Sequence, residues 1–214
     1  MKIIPSILTN DPSDLENKLQ ICADLGVDEI QLDICDADFV KNKTIYIKEN
    51  LEILKKYSSR FNIQTHLMVK NIYRHISEAM LIPASMVFFH FEAVRRIWVD
   101  KTLRNVVKKG MTAGIALSPE TPVDSFKKYL CEKNLSTILI LTVNPGFYGS
   151  EFLPENLEKI TRLRELGFKG KIGVDGGVSD KTIDIIRKYN PDFVCCGGYI
   201  LESEKPLVQL DKLA

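Results

Sequence analysis

The sequence is poor in the features that mark special classes of protein. No apolar run approaches the roughly 18 to 20 residues of a membrane span, and the opening Met1-Lys2-Ile3-Ile4-Pro5-Ser6 lacks the apolar core of a signal peptide. Charge of neither sign is in excess. Lys and Arg number 29 against 28 Asp and Glu in 214 residues, and the net +1 sets up no bulk field for nucleic acid or an anionic membrane surface. Any anion bound here must be held locally. The five cysteines (Cys22, Cys35, Cys131, Cys195, Cys196) are odd in number and lack zinc-ribbon spacing, so free buried thiols are expected, with Cys195 and Cys196 on opposite faces of a strand. Low-complexity tracts and Pro/Ser-rich linkers are also missing, so the expectation is a single domain over residues 1–214, located in the cytoplasm.

What the chain does have is alternation. Apolar runs of four to seven residues recur between longer stretches of helical period, the pattern of repeated βα units and a parallel sheet. The expected strands are Ile3 to Leu8, Glu29 to Ile34, Ile63 to Met68, Met86 to His90, Ala113 to Leu117, Thr137 to Val143, Lys171 to Val174 and Phe193 to Cys196. Helices are expected over Asp14 to Leu25, with Gly26 as its stop, and over Ile45 to Tyr57, Arg74 to Leu81, Val99 to Lys109, Val123 to Leu130, Pro154 to Leu166 and Thr182 to Lys188. A last one near Leu207 to Leu213 completes eight units, which predicts an α/β chain folded as a (β/α)8 TIM barrel, with an open doubly wound sheet as the alternative.

In such a barrel the outward face of a strand lies under helices and the inward face reaches the site at the C-terminal end. In Glu29-Ile30-Gln31-Leu32-Asp33-Ile34, the apolar Ile30, Leu32 and Ile34 share one face, which leaves Gln31 and Asp33 on the inward one. The same parity turns His66 and Met68 inward in the third strand and Asp175 inward at the end of the seventh. Ionised groups persist in an interior only when paired or metal-bound, so the convergence of two aspartates, a histidine and a glutamine predicts a shared site.

Two glycine-containing segments follow in the loops where barrels commonly hold phosphate: Asp175-Gly176-Gly177-Val178 after the seventh strand and Cys196-Gly197-Gly198-Tyr199 after the eighth. A phosphorylated ligand is expected there. The segment Asn144-Pro145-Gly146-Phe147-Tyr148-Gly149-Ser150 is suited to folding over the mouth. His90 is expected to be structural, His75 solvated, and Trp98 packed ahead of a helix, while Glu92 and Asp36 lie where they could orient catalytic groups.

These residues resemble the ribulose-phosphate 3-epimerase family, a family of ribulose-phosphate-binding barrels. The likeness runs nearly end to end, through Pro5-Ser6-Ile7-Leu8, Asp33 with Asp36 and Phe39-Val40, His66-Leu67-Met68-Val69, His90-Phe91-Glu92-Ala93, Ala116-Leu117-Ser118-Pro119-Glu120-Thr121-Pro122, Thr142-Val143-Asn144-Pro145-Gly146-Phe147 and Val174-Asp175-Gly176-Gly177-Val178. The resemblance implies an isomerase that interconverts D-ribulose 5-phosphate and D-xylulose 5-phosphate, with Asp33 and Asp175 as the acid and base at C3. It implies one divalent metal (zinc, iron or manganese) held by Asp33, His66 and Asp175, with Gln31 at a ligand position. Ser6, His66, Gly146, Phe147, Tyr148, Gly149, Gly176, Gly177, Gly197 and Gly198 match substrate and phosphate positions, and a homo-oligomer is implied.

The departures from that pattern lie close to the chemistry. Gln31 stands where the family has a metal-binding histidine, and a neutral amide oxygen suits harder cations than imidazole does. Cys35-Asp36-Ala37 replaces the family's Met-Asp-Gly, Phe39-Val40-Lys41-Asn42 its Phe-Val-Pro-Asn, and Gly146-Phe147-Tyr148-Gly149-Ser150 its Gly-Phe-Gly-Gly-Gln. Cys35 and Leu141 stand in place of methionines that cap the sugar, whereas Met68 is kept. Because these changes surround the sugar and spare the phosphate glycines, two alternatives stay open: an epimerase of a hexulose or heptulose phosphate, and a metal-free sugar-phosphate-binding protein.

Overall fold

A computed structural model describes residues 1–214. Eight parallel strands close into a barrel in chain order, from β1 (Lys2–Ile7), β2 (Glu29–Cys35), β3 (Asn62–Met68) and β4 (Ala84–His90) through β5 (Thr112–Leu117), β6 (Thr137–Leu141), β7 (Lys171–Asp175) and β8 (Phe193–Cys196) back to β1. Lys2 to Pro5 pair with Phe193 to Cys196 across the seam, so no edge is left open. The (β/α)8 expectation holds. No helix is long and apolar enough to cross a membrane.

The connecting helices are α1 (Pro12–Asp24), α2 (Leu51–Tyr57), α3 (Ile72–Ala79), α4 (Val99–Lys108), α5 (Glu158–Glu165), α6 (Ile183–Arg187), the short α7 (Gly198–Leu201) and α8 (Pro206–Leu213). Local chemistry sets several of their ends. The Asp11 carboxylate accepts from the Ser13 amide, Pro12 opens α1, and Gly26 at φ +68° follows its last turn. Asn71 caps α3 by accepting from the Arg74 amide, which is why that helix begins at Ile72 rather than Arg74. Between β5 and β6 the expected α-helix is instead a 3-10 helix over Val123–Tyr129. Its buried residues Val123, Phe126 and Tyr129 recur every third position, which matches a three-residue turn and not a 3.6-residue one.

Strand parity sorts the interior. Ile30, Leu32 and Ile34 face outward into a continuous apolar shell of 51 buried residues shared with the helices. A separate inner cluster of seven (Ile4, Phe88, Ala116, Leu139, Leu141, Phe193 and Cys195) plugs the barrel beneath the site. Two glycines make room for its rings: a Cβ on Gly114 would sit 2.3 Å from the Phe88 ring, and one on Gly173 2.2 Å from the Phe193 ring. Cys195 thus points into the barrel and Cys196 into the shell, and all five cysteines are free.

Two expectations about individual side chains fail. His75 is buried, edge-on to Tyr46 at 5.1 Å and near Glu78, because α3 begins at Ile72 and not Arg74, so that His75 falls at helical spacing on one face with Ile72, Ile76 and Ala79. Trp98 is 41% exposed in a 3-10 turn ahead of α4, with the Lys101 ammonium 4.5 Å from its ring centroid, so it caps a surface turn instead of packing inward.

Candidate active site

Barrel register carries the distant polar residues to one level. Ser6 on β1 lies opposite Gln31 on β2, Asp33 opposite His66 on β3, and Asp175 on β7 opposite Cys195 on β8. All sit on the inward parity; Ser6, Asp33, His66, Asp175 and Cys195 lie toward the C-terminal ends of their strands and line a cavity of about 440 Å³, with Gln31, two residues before Asp33, beneath them.

At that floor the two aspartates are joined through shared partners. The Gln31 amide nitrogen donates to Asp33 Oδ1 at 3.0 Å and to Asp175 Oδ2 at 2.8 Å. His66 Nδ1 lies 3.0 Å from Asp33 Oδ1 and 3.3 Å from Asp175 Oδ2. Behind the imidazole, His66 Nε2 meets His90 Nε2 at 2.9 Å, and His90 Nδ1 meets Glu92 Oε2 at 3.3 Å and the Ser118 hydroxyl at 3.2 Å. A carboxylate can only accept, so Glu92 calls for a proton on His90 Nδ1. That leaves His90 Nε2 to accept from His66 Nε2–H and keeps His66 Nδ1 turned to the carboxylates. Glu92 is itself fixed by the Ser118 amide and the Thr121 hydroxyl.

Burial shapes the electrostatics. It raises the Asp33 carboxyl above the usual carboxylate range; the His66 hydrogen bond offsets part of that rise and the Asp175 charge adds to it. Burial opposes protonation of His66, yet hydrogen bonds and charge from Asp175 and Asp33 push it up to about 9. His90 moves the other way, held below its ordinary value by burial against the pull of Glu92. The Cys195 thiol, wholly buried, is raised well above its usual range, remains a donor, and lies 3.1 Å from Gln31 Oε1.

The cavity wall collects the remaining predicted residues. Ser6, Gly146, Phe147, Tyr148, Gly149, Gly176, Gly177, Gly197 and Gly198 all line it together with Asp33, His66 and Asp175, whereas Gln31 lies beneath. Gly176 adopts φ +107°, a conformation in which a side chain is strained, and the Thr142 hydroxyl donates to its carbonyl at 2.6 Å. Tyr148 reaches across the mouth: its hydroxyl donates to the Ser6 carbonyl at 2.6 Å and accepts from the Leu8 amide at 2.8 Å, and its ring packs on Gly197 and Gly198. The loop is also held from the β2 side, where the Asn42 amide donates to the Gly146 carbonyl at 2.6 Å.

Asp36 does not join the centre. Its carboxylate accepts from the amides of Asp38, Phe39 and Lys70, which braces two loops instead of orienting a catalytic group. Glu92 does join it, through His90. Sequence reading did not place His90 against His66 or Cys195 against Gln31. Inward parity was the available signal for both, since His90 ends β4 and Cys195 shares a strand face with Phe193.

A divalent cation fits the donors present. Two carboxylates and one imidazole nitrogen offer ligand atoms within 4.8 Å of one another, and buried carboxylates this close call for positive charge between them.

Comparison with known proteins decides the family. The model of the ribulose-phosphate 3 epimerase family matches residues 2–201. The chain belongs to that family. It is 33% identical over 206 residues to the ribulose-phosphate 3-epimerase, cytoplasmic isoform, of Oryza sativa subsp. japonica, covering 96% of this chain and 89% of that one. It is 35% identical over 204 residues to the ribulose-phosphate 3-epimerase of Escherichia coli K12, covering 94% and 88%. As a member of this family the chain is an isomerase, a carbohydrate epimerase. Among solved structures, a mutant tryptophan synthase alpha-subunit from Pyrococcus furiosus superposes with a TM-score of 0.76 at 17% identity, covering 99% of this chain and 97% of that one, which speaks to the barrel alone.

Proposed function

We propose that this family member interconverts D-ribulose 5-phosphate and D-xylulose 5-phosphate by proton transfer at C3, with Asp33 and Asp175 as the paired acid and base. The observation that carries the reading is the joining of these two carboxylates at the cavity floor by the Gln31 amide and His66. A binding protein for an anionic sugar gains nothing from two carboxylates beside its ligand. An epimerase needs a base on one face of the carbon and an acid on the other.

The sugar lies across the floor with C3 between the aspartates, which enter from β2 and β7. One carboxylate takes the C3 proton, and the other, protonated, returns one to the opposite face; in the reverse direction their roles exchange. Asp33, His66 and Asp175 would hold a zinc, iron or manganese ion, which when bound supplies positive charge to the oxygens that become negative as C3 is deprotonated. Ser6 contacts the sugar from β1. The backbone of Gly176, Gly177, Gly197 and Gly198 cradles the phosphate, and the segment from Gly146 to Gly149, with Phe147 and Tyr148, excludes water above it.

The test is solvent-deuterium incorporation into D-ribulose 5-phosphate followed by NMR, with chelated protein and with each metal restored. Exchange at C3 that depends on metal is the expected result. No exchange under any metal condition overturns the reading, and a panel of hexulose and heptulose phosphates then identifies the sugar.

A further inference from the structure

Gln31 is the residue at the floor whose role the proton transfer leaves unexplained. It is fully buried, and its amide makes three hydrogen bonds with different requirements at its two ends. At one end lie two carboxylate oxygens, which can only accept. At the other lies the Cys195 sulfur, 3.1 Å from Oε1, whose S–H can donate. Only one orientation satisfies both. With nitrogen toward the aspartates and oxygen toward the thiol every contact is matched; turned over, the amide would put a third oxygen against two carboxylates and leave its N–H groups only the weakly accepting sulfur.

We propose that Gln31, oriented by Cys195, is a positioning residue that spans the two aspartates as a hydrogen-bond donor, and that it competes with a divalent cation for them instead of ligating it. This rests on the reading of Asp33 and Asp175 as the acid and base pair. An amide between the carboxylates offsets part of their repulsion, sets their spacing, and takes up oxygen lone pairs that a cation would use. For Gln31 to present Oε1 to a cation, its bonds to Asp33, Asp175 and Cys195 must all break. Loss of the amide therefore has a sign that separates the two roles: a ligand's removal weakens cation binding, and a competitor's removal strengthens it.

The experiment is titration of the chelated full chain with Mn²⁺ and with Zn²⁺ against a fluorescent chelator, for wild type, Gln31→Leu, Cys195→Ser and Cys195→Val. Gln31→Leu is expected to tighten Mn²⁺ binding by about 5-fold or more, because the carboxylates lose a donor that occupies their lone pairs and only His66 is left between them to offset their repulsion. Cys195→Ser keeps a hydroxyl donor and is expected to stay within about 2-fold of wild type. Cys195→Val frees the amide to turn and is expected to tighten binding by a smaller factor than Gln31→Leu. Weaker or unchanged binding in Gln31→Leu overturns the proposal, and so does identical binding in the Ser and Val variants, which also serve if the Leu variant does not fold. Failure of the epimerase reading shows separately, as absent C3 exchange in wild type.

Discussion

The same eight strands build two interiors. Outside them, Ile30, Leu32 and Ile34 enter an apolar shell in which many side chains of similar volume share the packing. Inside, alternate residues of the same strands form a small apolar plug and, one level higher, a polar floor where Gln31, Asp33, His66, His90 and Asp175 are joined by hydrogen bonds. The shell is held by area, which is additive and forgiving. The floor is held by matched donors and acceptors, where one wrong atom leaves a charge unpaired. Stability and activity should therefore separate by parity along a single strand.

Asp175→Asn tests the inward side most severely. It keeps the shape, and the expected loss of C3 exchange is about 10²- to 10⁴-fold, with the thermal midpoint nearly unchanged. Full activity would show that the carboxylate is wrongly assigned. Leu32→Ala tests the outward side one residue from Asp33, with an expected cost of about 2–5 kcal/mol in denaturant unfolding and the exchange rate of the folded fraction preserved. The plug gives the intermediate case. Gly173→Ala drives a methyl into the Phe193 ring and should cost about 1–3 kcal/mol, again read from denaturant midpoints. The smallest effect lies outside both interiors. Ala37 holds φ +64° in the loop after β2, and Ala37→Gly should stabilise by about 1 kcal/mol because glycine adopts that conformation without the side-chain clash.

Parity explains how much of this was legible. Alternation in six residues of β2 was enough to turn Gln31 and Asp33 inward, and the same reading placed His66 and Asp175. The glycine segments lay in the expected loops because chain order around a barrel fixes loop order. What could not be read depends on closure. The Cys195 to Gln31 bond joins residues 164 apart, and its existence depends on the register of every strand pair between them. His75 and Trp98 misled for other reasons: a helix started at Arg74 leaves out Ile72, whose spacing with Ile76 and Ala79 puts His75 on the buried face, and the three-residue turn that holds Trp98 is too short for periodicity to fix a face. Val123, Phe126 and Tyr129 carried a three-residue period that reads as α-helical unless the exact spacing is weighed.

The tether of Tyr148 carries a consequence for how this sequence can drift. Its hydroxyl engages the main chain at Ser6 and Leu8, so no side chain at either position is needed to keep the loop fastened. Its ring, in contrast, occupies the space where a Cβ on Gly197 would lie 2.2 Å away. Residues 6 and 8 are therefore free to vary under other pressures without loosening the loop, while 148 and 197 are bound to each other. A chain that enlarges residue 197 must give up the ring at 148, and with it the fastening, and must also shift the main chain at Ser6, whose carbonyl oxygen lies 2.8 Å from the same Cβ position.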